Sequence, residues 1–257
     1  MSAASALDAF APVTLDELVA EAALLSRIDR KYLLPTEAAA AFVAALDPAT
    51  RVLDIDGLRA PVYETVYFDT PDLLSYRLAA HSRRRRFKIR TRTYVETGGA
   101  YLEVKTRGAR SRTVKERVDY DPRDRERLTA DGRLAALDAL DAIGVGGERA
   151  AELAPTLTTS YRRTTLVPPG AGIRATLDTE LRWLQADGAE LSTPDLAILE
   201  TKSPAGASAM DRALWRGGHR PVGISKYGTG LAALHPELPS NKWARVIRRH
   251  FREGGLR

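Results

Sequence analysis

The chain has 257 residues, 44% of them hydrophobic, which is enough apolar material for a packed domain and excludes a disordered polyanion-binding tail. A formal net charge of +6, from 39 bases against 33 acids, favours an anionic partner, but the excess is modest, so the placement of charge has to carry the argument. With no cysteine there can be no disulfide, thiolate metal site or Cys nucleophile.

Residues 1–10 have neither a basic start nor a long apolar core, and no run approaches the ~18 apolar residues of a membrane helix. A soluble, cytoplasmic protein is expected. Thr14-Leu-Asp-Glu17 is a capping box that opens an amphipathic helix to about Leu25. A strand over Arg27–Leu34 follows, then an Ala-rich helix from Pro35-Thr36 to near Asp47-Pro48. Val62–Asp69 reads as a strand. Arg84–Val95, Ala100–Arg107 and Arg112–Tyr120 form a meander, turned at Gly98-Gly99 and Gly108-Ala109. Arg123 to about Ile143 is spaced as a helix. Strands return at Leu157–Val167, Gly172–Leu184 and Leu196–Ser203, and helices at Ala207–Arg216, Ser225–Leu234 and Ser240–Arg252. The pattern predicts an α+β chain with one domain over 1–257. About eight mostly consecutive strands would close into an antiparallel β-barrel with flanking helices, because closure leaves no sheet edge.

Residues two apart on a strand share a face. Arg84, Arg86, Lys88, Arg90 and Arg92 therefore form one row, with cations ~6.6 Å apart, against Phe87, Ile89 and Thr91 on the other face. The division recurs. Glu103, Lys105 and Arg107 oppose Leu102 and Val104; Lys115, Arg117 and Asp119 oppose Val114 and Val118. Arg174, Asp178, Glu180 and Arg182 oppose Ala175, Leu177 and Leu181, and Glu200 with Lys202 opposes Leu199. Arg27, Asp29 and Lys31 alternate in the first strand, and Arg163 lies in Tyr161-Arg-Arg-Thr-Thr165. On any single strand this is what a solvated outer face looks like. Its recurrence on several strands, almost wholly ionic, also fits an inward basic lining that needs an anion to be stable. A linear phosphate chain is slender enough for a barrel of this size. The acids Glu103, Asp178, Glu180 and Glu200 are either salt-bridge partners or ligands of Mg2+ or Mn2+. Glu200 is the best metal candidate because Lys202 sits beside it on the same face.

At Arg27-Ile-Asp-Arg-Lys-Tyr32, Tyr67-Phe-Asp-Thr70, Arg86-Phe-Lys-Ile-Arg-Thr-Arg92, Tyr101-Leu-Glu-Val-Lys105, Thr113-Val-Lys-Glu-Arg117, Leu199-Glu-Thr-Lys202 and Ser225-Lys-Tyr227, the chain resembles the vacuolar transporter chaperone (VTC) catalytic domain, a branch of the triphosphate tunnel metalloenzymes. The resemblance runs from about Ser26 to Leu234, and 240–257 is left as a C-terminal helix. It implies an eight-stranded antiparallel tunnel and a polyphosphate polymerase, a transferase that moves the γ-phosphate of ATP onto a growing inorganic polyphosphate chain with manganese or magnesium. Carried over by position, it makes Lys31, Arg90, Arg92, Lys105, Lys115, Arg163 and Arg174 phosphate-binding cations, Glu200 the metal ligand, and Lys226 a phosphate contact near a tunnel mouth. Lys202, beside Glu200, joins the catalytic set; Arg27, Arg86, Lys88 and Arg117 join the substrate-binding set from their rows. Asp29 stands where the family usually has Glu. Arg27 stands where the sister branch of adenylate cyclases and thiamine triphosphatases begins a Glu-x-Glu-x-Lys motif, which argues against that branch. The matching stretch comes without the regulatory and membrane domains of eukaryotic polymerases, which leaves open coupling to a membrane-protein partner.

Two rival functions remain at this stage. A metal-dependent hydrolase of triphosphate or polyphosphate would use the same residues with water as acceptor. A non-catalytic polyanion-binding module would need only the cations. Specific nucleic-acid binding is not expected, since aromatics are only 7% and few interleave with the basic rows. Gly144-Val-Gly146-Gly147 lacks a following Lys-Ser/Thr pair and is no P-loop, and the four histidines have no ligand spacing.

Overall fold

The residues that alternate between basic and apolar over 86–94 form one continuous strand, and its neighbours alternate in step with it. A computed structural model describes residues 7–22, 28–108, 113–170, 172–204 and 206–251. It begins with β1 (Ala11–Val13), α1 (Leu15–Ala22), β2 (Ile28–Pro35), α2 (Thr36–Ala44), β3 (Arg51–Leu53) and β4 (Val62–Asp69). Next come α3 (Leu74–Ala80), β5 (Arg86–Tyr94), β6 (Ala100–Arg107), β7 (Thr113–Tyr120) and α4 (Ala130–Ala142). The chain continues through β8 (Ala154–Val167), β9 (Arg174–Leu184), β10 (Glu190–Thr193), β11 (Leu196–Ser203), α5 (Ala209–Arg216), α6 (Lys226–Leu234) and α7 (Ala244–His250). No helix among the described residues is long and apolar enough to cross a membrane.

The strands hydrogen-bond in the order β2-β11-β9-β8-β4-β5-β6-β7, with β3 on β8, β1 on β3 and β10 on β9. The expectation of a closed eight-stranded antiparallel barrel is therefore corrected. Among the described residues the sheet has 11 strands, β2 and β7 end its order with no pairing joining them, and β1 pairs with β3 in parallel. Closure is not the device that protects these edges. Exposed Lys115, Glu116, Arg117 and Asp119 charge β7, which discourages strand addition. On β2, the carbonyl of Lys31 accepts the backbone N–H of Val222 at 2.8 Å.

The chain divides into two compact units. The first covers Met1–Val62, Tyr161–Leu181 and Thr193–Val222. In it, α2 and α5 cover one face of β2, β11 and β9, burying Tyr32, Leu34, Val43, Leu177, Leu199 and Leu214. A buried carboxylate ties this layer together. Asp211 accepts from Tyr32 Oη at 2.7 Å, from Thr201 Oγ1 at 2.6 Å and from its own capping-box partner Ser208.

The second unit covers Tyr63–Ser160, Arg182–Ser192 and Gly223–Arg257. Here the apolar face of β4, β5 and β6 packs on α3 and α4 through Phe68, Phe87, Ile89, Leu102, Ala136 and Leu140. The helix expected from Arg123 starts only at Ala130. Asp121 caps a 3-10 turn at Pro122–Asp124, and Tyr120 Oη, which accepts from Thr129 N at 2.7 Å and donates to Arg127 O, holds 121–129 as a loop. Thr129 then caps the helix through Gly132 N. The expected Ser240–Arg252 helix is a 3-10 turn, Asn241–Trp243, followed by α7, and Arg252 lies outside the described residues. So do Leu25, Arg27, Ala109 and Arg112, at the expected ends of other elements. The helix α3, unforeseen, depends on a cap from outside itself: Asp69 accepts Ser75 N at 2.8 Å and Tyr76 N at 2.9 Å.

Candidate functional site

In the first unit, register decides which side chains meet on the face away from the core. Glu200 of β11 lies opposite Lys31 of β2 and Thr176 of β9. Two residues along, Lys202 lies opposite Asp29 and Arg174. Lys31 Nζ is 3.7 Å from Glu200, and Lys202 Nζ bonds the other Glu200 oxygen while standing 3.5 Å from Asp29. Burial pushes the Glu200 carboxyl pKa up, but Lys31, Lys202 and Arg163 reverse this and hold it down at about 2. Glu200 is thus a firm carboxylate inside a ring of cations. On the same face, Arg163 grips Asp178 in a two-point pair at 2.6 and 2.8 Å.

The structure separates Asp178 from Glu180, which the alternation placed together. Glu180 has φ 53°, a left-handed residue within β9 that disturbs its alternation, and its side chain is exposed and bonded to Arg162 at 3.2 Å. Arg162 and Arg163 are adjacent on β8 and so point to opposite faces. Their partners Asp178 and Glu180 do the same.

In the second unit, three cross-strand rows run over β5, β6 and β7. Arg90, Glu103 and Arg117 make one; Lys88, Lys105 and Lys115 the next; Arg86 and Arg107 the third. Glu103 is almost fully buried and receives Arg90 at 2.6 Å, Lys115 at 2.8 Å and Arg92 at 3.7 Å. Burial alone would raise its pKa, but those three cations hold it well below the usual carboxylate range. Arg86 is lowered by burial and by Arg107 opposite it. Arg117 stacks over the Tyr101 ring, 3.3 Å from its centroid. Lys88 donates to Ser225 Oγ at 3.1 Å, and Ser225 caps α6 through Gly228 N. Lys226 opens that helix, its carbonyl accepting the Trp183 indole N–H at 2.7 Å.

The predicted residues therefore gather as two sets. Lys31, Arg163, Arg174, Asp178, Glu200 and Lys202 share one face of the first unit. Arg86, Lys88, Arg90, Arg92, Glu103, Lys105, Lys115 and Arg117 share one face of the second. Arg27 lies outside the described residues.

The model of the VTC domain matches residues 26–235. The chain belongs to the VTC domain family. Among solved structures, this VTC domain is similar to a candidate adenylate cyclase from Bacillus halodurans, at 15% identity and TM-score 0.50, over 77% of this chain and 93% of that one. A candidate adenylyl cyclase from Hippeastrum, described as having a dominant triphosphatase activity, aligns at 16% identity and TM-score 0.48, over 84% and 100%. The likeness to the Bacillus halodurans structure concerns the fold alone. A search of curated proteins gave no match.

Sequence reasoning passed over two buried acids of the VTC domain, Asp69 and Asp211. Each had a signal. Ser208-x-x-Asp211 is a shortened capping box, and Asp69 closes a strand just before a turn, where a carboxylate can cap the next helix. Among the described residues no three His, Asp or Glu side chains gather as ready-made metal ligands.

Proposed function

We propose that this chain is a polyphosphate polymerase, transferring the γ-phosphate of ATP to the end of an inorganic polyphosphate chain. The observation that carries the reading is the register that sets Lys88, Lys105 and Lys115 side by side on three adjacent strands. Like charges directly opposite each other destabilise a sheet, and a bound polyanion turns that repulsion into attraction. Membership of the VTC family supports polyphosphate over other polyanions.

Phosphoryl transfer asks for alignment and charge neutralisation rather than a protein nucleophile. Arg90, Arg92, Lys105, Lys115, Lys31, Arg163, Arg174 and Lys202 would bind phosphate oxygens. A terminal oxygen of the acceptor attacks the γ-phosphorus in line, the bond to the β–γ bridging oxygen breaks, and ADP leaves with that electron pair. Arg side chains hold two phosphate oxygens at once and so fix the angle of attack.

All four candidate acids have basic partners, Glu200 included through Lys31 and Lys202, so Glu200 stands out by the family resemblance rather than as a vacant carboxylate. Glu103 is engaged by three cations and Asp178 by a two-point Arg pair, and Glu180 sits apart. Glu200 is the carboxylate that would hold Mn2+ or Mg2+, as a single protein ligand beside substrate phosphates. When bound, the ion would supply further neutralisation of phosphate charge.

Phosphorus NMR of the protein with ATP and manganese tests the proposal. Growth of a polyphosphate signal with release of ADP is the expected result. Orthophosphate without chain growth would select a hydrolase, and polyphosphate binding without turnover a binding module. Glu200→Gln should lower turnover on the order of 100-fold or more while polyphosphate binding persists.

A further inference from the structure

The basic face of the second unit gives way along its strands to aromatic rings. Tyr63 and Tyr94 meet edge to face with centroids 4.7 Å apart, and Tyr94 and Tyr101 do so at 5.8 Å. The Arg117 guanidinium lies 3.3 Å from the Tyr101 centroid and 6.0 Å from that of Tyr94. Arg117 is exposed, so a planar ring can stack on its outer side. Its register opposite Glu103 places it on the same face as Lys105 and Lys115.

Phosphate binding has no use for such a surface. A nucleotide does, because every base has a π-face that stacks on aromatic rings and guanidinium planes. We propose that Arg117, held flat by Tyr101, is the stacking platform for the nucleobase of the nucleoside triphosphate donor. Tyr101 is four residues from Lys105 along β6, roughly 13 Å, which leaves room for a ribose and the leading phosphates between the base and the lysine row. The platform thus distinguishes a nucleotide donor from inorganic polyphosphate. The inference rests on the phosphate-binding reading of this face.

Isothermal titration with ATP and with inorganic tripolyphosphate tests it, on the full chain and on Arg117→Lys and Tyr101→Leu. Arg117→Lys keeps the charge and loses the plane, and its exposure makes the fold safe. ATP affinity should fall roughly tenfold in each variant, while tripolyphosphate affinity stays within about twofold. Equal losses for the two ligands, or no loss for ATP with Arg117→Lys, overturn the platform and leave the phosphate reading standing. Failure of the unaltered protein to bind either ligand overturns both.

Discussion

The Tyr227 hydroxyl donates a 2.6 Å hydrogen bond to the buried Asp69 carboxylate. The same carboxylate accepts the N–H groups of Thr70, Ser75 and Tyr76 at 2.8, 2.8 and 2.9 Å. Burial pushes its pKa up, and these four bonds only partly oppose that. Tyr227 in turn stacks on Tyr67, with centroids 5.0 Å apart, and Lys88 and Arg90 lie over the Tyr67 ring at 5.7 and 5.9 Å. One carboxylate thereby caps α3, anchors the start of α6 and sets the aromatic floor beneath two proposed phosphate ligands.

Removing that carboxylate should therefore hurt more than removing any single partner. Asp69→Asn points an amide N–H at converging donors and should destabilise the fold by about 3 kcal/mol, while Tyr227→Phe, which loses one bond, should lose about 1–2 kcal/mol. Urea unfolding measures both. The double variant should lose less than the two together, since both act on one network. Full additivity would show that Tyr227 is held by its ring packing alone.

The helix α6 carries glycines for a steric reason. A Cβ on Gly228 would lie 2.1 Å from the Trp243 ring, and one on Gly230 would lie 2.2 Å from Trp183. Both indoles are almost fully buried, so neither has space to retreat. Gly228→Ala and Gly230→Ala should each destabilise by about 1–3 kcal/mol, despite the higher helix propensity of alanine. Thermal denaturation decides the sign. A rise in midpoint for either variant would mean that the indoles move aside.

Those contacts show where sequence reading stops. The division of residues 86–94 into basic and apolar faces was legible, because a strand period of two needs no knowledge of the partner strand. The strands Val62–Asp69, Ala100–Arg107 and Leu196–Ser203 fall within their expected bounds. Pairing order was not legible. Short β1 and β3 have too few residues for a pattern, and no local propensity says that β2 and β7 would end the order without pairing to each other among the described residues. Within the site, cations on one face could be read off. That Glu103 collects Arg90, Arg92 and Lys115 depends on register, and that Glu180 turns away from Asp178 depends on one left-handed residue.

Register also sets the acid sensitivity. Glu103 and Glu200 both have pKa values lowered by their cations, Glu200 from 4.5 to about 2. A lowered carboxylate pKa gives stability that is present above the unfolded value and is lost as pH falls through the folded one. For Glu200 that window runs from about pH 4.5 to about pH 2 and is worth about 3 kcal/mol. Glu103 acts in the same direction. Replacing both by Gln should lower stability at pH 7 and flatten the acid limb of an unfolding-versus-pH curve. An unchanged acid limb would assign the acid loss to other carboxylates.

The lysine row leads to the opposite trade. Lys105 sits between Lys88 and Lys115, so Lys105→Glu replaces like-charge pairs on both sides with opposite ones. Each such pair contributes about 0.2–1 kcal/mol, and the thermal midpoint of the free protein should rise by about 2–4 °C. Affinity for tripolyphosphate should fall at least about tenfold in the same variant, with a weaker dependence on salt. Differential scanning calorimetry and titration at two ionic strengths read the two effects separately. If Lys105→Glu were less stable and still bound tripolyphosphate, the row would be a structural feature of the sheet, and phosphate would have to be held by Arg90, Arg92 and the Glu200 face instead.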